Sequence, residues 1–193
     1  MEKCSILIVE DEAPIALNLA LLLTSSGYIV HTPVVTGNDA ISSVKTRKPD
    51  LVLMDIELAG GMNGIETAAK IRAIADIPII YLTAYTENLL LEQARLTAPY
   101  GYIVKPFNER ELTASIRMAL YKHSLDRKLK ESEEKYRRLA DNAQDIIYCM
   151  SLPDGIYRYV SPAAEQLTGY APEDFYANPL LSAHSSPPTG RII

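Results

Sequence analysis

Three acids, a hydroxyl and an ammonium sit at the ends of short apolar runs in the first half of the chain. Glu10 and Asp11 follow SILIV, Asp55 ends LVLMD, Thr83 follows the run Ile77–Leu82, and Lys105 follows Tyr100–Val104. Carboxylates crowded together repel, and one of them takes a raised pKa unless a cation joins them. Oxygen ligands with positions left for water suit Mg²⁺. A Mg²⁺ there would draw a phosphoryl group onto the same spot. Lys105 would neutralise one phosphoryl oxygen and Thr83 would hydrogen-bond one. Asp55 would be the nucleophile, forming an acyl phosphate. Taken singly, each residue has a plainer reading: a solvated strand end, a surface lysine or, for Thr83, a helix N-cap. Their coincidence at strand ends is what solvation alone does not explain.

Such a rim needs elements that bring five distant residues together. Apolar runs of strand length lie at Ser5–Val9, Tyr28–Val35, Leu51–Met54, Ile77–Leu82 and Tyr100–Val104. Segments of helical period separate them, such as Ala16, Leu19, Ala20, Leu23 and Ile65, Ala68, Ala69, Ile71. Near-continuous apolar strands alternating with helices predict an α/β domain: a doubly wound, five-stranded parallel sheet covered on both faces. Right-handed crossovers gather the carboxyl ends of the strands, where the chemistry of such folds sits.

The texture changes after Phe107. Glu109 to Asp141 contains no Pro or Gly over 33 residues. Met118, Tyr121, Leu125, Leu129, Ser132, Tyr136 and Leu139 recur at spacings of 3, 4, 4, 3, 4 and 3, a heptad-like seam with one slip. A helix of about 50 Å is predicted, with its far half paired to another helix, its own copy in a homodimer. From Asn142 the chain reads strand, turn, strand, helix. Pro153-Asp154-Gly155 forms the turn, and a helix runs from Ser161-Pro162 to Gly169. The Ser/Pro-rich end, SAHSSPPTGRII, has no clear period.

The chain has 193 residues, 48% hydrophobic, and a net charge of -5. That is room for one ordinary domain and part of a second. No stretch reaches the roughly 20 apolar residues of a membrane span. The N-terminal apolar run is too short for a secretory signal, so a cytoplasmic location is expected. Residues 1–107 hold 8 Lys/Arg against 12 Asp/Glu, a net of -4, which argues against direct nucleic-acid binding there. Residues 108–138 hold 9 against 6, a net of +3, read as a solvated helix face. Cys4 and Cys149 are expected in strands, as reduced, buried thiols. His31 is expected to be structural. His123 has no adjacent acid and no phosphotransfer pattern, and is expected to be a solvated helix residue.

The motifs ILIVEDE, LVLMDIEL with MNGIETA, PIIYLTA and GYIVKPF, in that order, resemble the receiver domain of two-component response regulators. The resemblance covers roughly residues 3–122 and implies a flavodoxin-like receiver. It implies Asp55 as phosphoacceptor, Glu10 and Asp11 as the acidic pair, and the backbone carbonyl of Glu57 as a further Mg²⁺ ligand. Thr83 and Tyr102 would be the switch pair and Lys105 the active-site lysine, with Lys105-Pro106 cis. It implies a sensor histidine kinase or phosphotransfer protein as donor, and repacking of the face formed by helix 4, strand 5 and helix 5. Tyr85 would shield the acyl phosphate from water. Residues 133–176 are similar to the start of a PAS sensor domain, incomplete in its α+β sheet. The expected organisation is a receiver at 1–122, a signalling helix at 123–140 and a partial PAS-like domain at 141–193. The receiver would be regulatory and not an enzyme beyond its own phosphotransfer and slow hydrolysis. Two alternatives stand beside it. One is an aspartate-nucleophile phosphatase with Glu57 as general acid. The other is a PAS-type interaction module with a silent receiver.

Overall fold

The computed structural model describes residues 4–84 and 98–178. The chain divides into two compact units, Met1–Asp126 and Arg127–Ile193.

The first unit is built on five parallel strands: β1 (Ser5–Val9), β2 (Ile29–Val30), β3 (Leu51–Asp55), β4 (Ile79–Ala84) and β5 (Gly101–Lys105), in the order β2-β1-β3-β4-β5. The order reverses between β1 and β3, the switch point at which ligands of such sheets bind. Every residue of β3 is buried. Leu51 and Leu53 enter one core layer and Val52 and Met54 the other, and β1 divides in the same way. That alternation is the period of two of a strand applied to a sheet covered on both faces.

Helices α1 (Ala13–Ser25), α2 (Gly37–Arg47) and α3 (Gly64–Ile74) cross over between strands. α2 starts at Thr36, whose hydroxyl accepts the Asp39 N–H at 3.2 Å. α3 starts with a reciprocal cap: Asn63 Oδ1 accepts the Glu66 N–H at 2.9 Å, and the Asn63 N–H donates to Glu66 Oε2 at 3.2 Å. MNGIE is therefore a helix start placed directly behind the strand that carries Asp55.

One strand is shorter than its apolar run. The run Tyr28–Val35 yields only Ile29–Val30, with a single bridge from Val34 back to Val9. Pro33 lies between them, without an N–H to continue the ladder. His31 therefore lies just past the strand.

The long helix, α4 (Glu109–Asp141), forms over the span read from the sequence. It buries Leu112, Ile116 and Ala119 in the first unit. The seam itself is open: Met118, Tyr121, Leu125, Leu129, Tyr136 and Leu139 are all exposed large apolar residues.

The second unit holds β6 (Tyr148–Met150) and β7 (Tyr157–Val160), paired antiparallel, then α5 (Ala163–Thr168) and α6 (Pro172–Ala177). Gly169 ends α5 at φ +80°, the left-handed cap that glycine adopts without strain. The small core comprises Tyr157, Val160, Ala164 and Phe175, with Ile146 against it. Cys149 lies in β6 but is exposed, so the expected buried thiol is corrected. All three residues of β6 are exposed, so the strand buries neither of its faces among the described residues. Cys4 is half-buried and sits just before β1.

Candidate functional site

β3 ends in a side chain that should carry a charge, yet Asp55 is only 6% exposed. Its partners explain why it stays there. Lys105, the last residue of β5, places Nζ 2.7 Å from Asp55 Oδ2. The same ammonium lies 3.0 Å from Glu10 Oε1 and 2.8 Å from Glu10 Oε2. Asp55 Oδ1 accepts the Glu57 backbone N–H at 3.2 Å, and Asp11 Oδ2 accepts the Ala59 N–H at 3.2 Å. Oxygens of Glu10, Asp11 and Asp55 gather within 4.8 Å of one another. Three carboxylates thus face one ammonium.

The charges act on one another. Burial pushes Glu10 up to about 7, against the pull of its hydrogen bond to Lys105. Burial alone would lower the Lys105 ammonium. The hydrogen bonds and charges of Asp55 and Glu10 outweigh it and hold Lys105 above its ordinary value.

A divalent cation fits this cluster. Glu10 is fully buried, and its Oε2 has no well-aligned hydrogen-bond donor, although it sits near Lys105. Such an oxygen, beside two more carboxylates and a local charge excess, matches the hard oxygen ligands Mg²⁺ takes.

The structure brings Glu10, Asp11, Asp55 and Lys105 together. Thr83 stands one step past Leu82, the partner of Asp55 in the β3–β4 register. It is buried, and its hydroxyl donates to the Ala84 carbonyl at 3.0 Å. As it belongs to β4, Thr83 is a strand residue here. Tyr102 lies mid-strand in β5, its ring stacked on Tyr81 with centroids 5.9 Å apart. Lys105-Pro106 is cis. Glu57 is exposed, and only its backbone reaches Asp55. Tyr85 and the expected helix 4 lie outside the described residues.

Sequence reasoning missed two features. The first is Gly64. A Cβ there would collide with the Asp55 backbone carbonyl, because the Gly64 N–H bonds the Ile56 carbonyl at 2.9 Å. MNGIETA was legible as part of a family motif, but no pattern in it shows which backbone Gly64 approaches. The second is His123, which is corrected from a solvated residue: its side chain is 14% exposed and lies 3.2 Å from Asp76.

Residues 6–117 match the model of the response regulator receiver domain. This chain belongs to the response regulator receiver family. Residues 134–189 match a PAS domain model. The receiver and its extension are 31% identical over 168 residues to "Transcriptional regulatory protein PdtaR" of Mycobacterium tuberculosis, covering 82% of this chain and 81% of that protein. The receiver is 38% identical over 116 residues to "DNA-binding response regulator MtrA" of Mycobacterium leprae, covering 60% of this chain and 50% of MtrA. The chain therefore spans only half the length of that relative. Among solved structures it resembles the N-terminal domain of a response regulator/sensory box/GGDEF 3-domain protein from Carboxydothermus hydrogenoformans. That match has 40% identity and a TM-score of 0.59, over 63% of this chain and 98% of that one. It also resembles the signal receiver domain of a modulated diguanylate cyclase from Desulfovibrio desulfuricans G20. Here the identity is 35% and the TM-score 0.62, over 65% of this chain and 99% of that one. No helix among the described residues is long and apolar enough to cross a membrane.

Proposed function

We propose that this protein is a phosphorylation-activated switch whose phosphoacceptor is Asp55. The observation that carries the reading is the Lys105 ammonium 2.7 Å from Asp55, inside a cluster of three carboxylates. An Asp55 oxygen attacks the donor's phosphorus. The donor's P–N bond breaks, its proton-bearing imidazole leaves, and an aspartyl phosphate remains. The carboxylates of Glu10, Asp11 and Asp55 and the Glu57 carbonyl would hold Mg²⁺, which would supply charge neutralisation for an incoming phosphoryl group. Lys105 then exchanges a carboxylate partner for a phosphoryl oxygen. Thr83 turns its hydroxyl from Ala84 toward the same group, and Tyr102 follows.

The donor is a histidine kinase or a phosphotransfer protein. The output passes along α4, whose exposed seam pairs with the same seam of a second copy. The order of parts, receiver then PAS segment, parallels the response regulator and sensory box in the Carboxydothermus protein's description. The role is regulatory, and direct contact with nucleic acid is not part of it. The organisation remains a receiver at 1–122, a signalling helix at 123–140 and a PAS-like segment at 141–193.

Intact mass after incubation with phosphoramidate tests the reading. One phosphoryl adduct should form with Mg²⁺ in wild type, and none in Asp55→Asn or in EDTA. An adduct that survives Asp55→Asn would sink it. Sedimentation of the same samples reads the dimer.

A further inference from the structure

β5 is engaged at both ends. At its last residue Lys105 holds Asp55 and Glu10. Just before its first residue stands Tyr100, whose backbone N–H bonds the Ile79 carbonyl at 2.9 Å. The Tyr100 phenol donates to Asp126 Oδ2 on α4 at 3.1 Å. One turn earlier on α4, His123 meets the Tyr100 ring edge-on with centroids 5.4 Å apart. Its Nε2 lies 3.2 Å from Oδ1 of Asp76, just past α3. The Lys122 ammonium stands 5.5 Å over the same ring. Arg72 of α3 donates to the Ala98 carbonyl at 3.4 Å.

The position of this cluster gives it meaning. Ala119 is the last buried residue of α4, and residues 124–131 and 133–139 are exposed. The cluster is thus where the helix parts from the receiver. Burial, with Asp126 adding to it, pushes the Tyr100 phenol up to about 12. The phenol therefore keeps its proton and remains a donor throughout the neutral range.

We propose that Tyr100, Asp126, His123 and Asp76 form an output clasp, which fixes the turn at which α4 leaves the receiver and is reset when phosphorylation moves β5. The proposal rests on Asp55 being the phosphoacceptor. β5 is paired with β4 along its whole length. Lys105 and Tyr100 therefore ride on one short, stiff segment. A shift of Lys105 toward a phosphoryl group reaches Tyr100 through that strand, and Asp126 through the phenol. Tyr100 is a positioning residue in this scheme, with no contact to the reacting atoms.

Hydrogen exchange read by mass spectrometry on the full chain tests the clasp. Wild type, Tyr100→Phe and Asp126→Ala are compared with and without phosphoramidate and Mg²⁺, and adduct mass is read on the same samples. Loss of the one hydrogen bond should speed exchange at residues 119–127 by about fivefold in both unphosphorylated variants. Phosphorylation of wild type should speed the same amides, and should add little in either variant, at equal adduct yield. A purely structural bond would instead leave the response to phosphorylation intact in the variants, and that result overturns the proposal. Unchanged exchange in phosphorylated wild type, with full adduct, also overturns it. Absence of any adduct overturns the trigger together with the phosphoacceptor reading, and the mass data separate that failure from the others.

Discussion

The two units solve the problem of burial differently. In the receiver, five strands form one sheet with a core layer on each face, and its central strand β3 has no exposed residue. Among the described residues of the second unit, two strands pair and one small cluster is buried. Every residue of β6 is exposed, and Leu152 is 81% exposed. A sheet closed by helices can hold a charge such as Asp55 in place, because the surrounding core is too well packed to collapse around it. A two-stranded ribbon has no such frame and leaves an edge that another strand can join. The difference teaches where in this chain a charge can be held for chemistry.

Core truncation should break the comparison most sharply. Leu53→Ala in β3 should lower stability by about 4 kcal/mol, as emptied core sites do. Leu152→Ala should change it by less than about 0.5 kcal/mol, as exposed sites do. Urea midpoints followed by far-ultraviolet circular dichroism read both. Equal effects would mean that the two regions are packed alike.

The next largest effect belongs to Lys105. Lys105→Met leaves buried carboxylates facing one another and should cost about 3 kcal/mol. The loss should be smaller in Mg²⁺ than in EDTA, because a cation bound to the native state adds stability. Thermal melts in the two buffers give the answer, and no difference between them would count against a cation site.

The thiols offer the gentlest contrast. Burial, followed by the negative charge of Asp50, raises the Cys4 thiol to about 11. Thiolate is the reactive form, so a raised pKa leaves little of it at pH 8. Cys149 is exposed on β6. A maleimide at pH 8 should label Cys149 quickly and Cys4 slowly, and both quickly in urea. Equally fast native labelling would show that Cys4 is less enclosed than β1 implies.

Much of the receiver was legible because its signals are local. Ser5–Val9 and Leu51–Met54 read as strands from unbroken apolar runs, and the helical period of Ile65, Ala68, Ala69 and Ile71 announces α3. Helix α4 was legible because nothing in 33 residues breaks it. The acidic rim followed from a general property of parallel sheets, that their strand ends converge. What stayed hidden depends on distant pairing. Gly64 had to be glycine because of the Asp55 carbonyl, and the β2 run was cut short at Pro33. His123 looked solvated because its partners, Asp76 and Tyr100, lie 47 and 23 positions away. In the second unit, periodicity marked both strands but could not tell that every residue of β6 is exposed, so Cys149 was misplaced.

The central claim is that Asp55 itself carries the phosphoryl group. Borohydride reduction of the phosphorylated chain converts an aspartyl phosphate to homoserine, which peptide sequencing by mass spectrometry locates. Homoserine at position 55, dependent on Mg²⁺, is the result this account predicts. Homoserine at Asp11 or elsewhere, or none from a chain that carries the adduct, would contradict it.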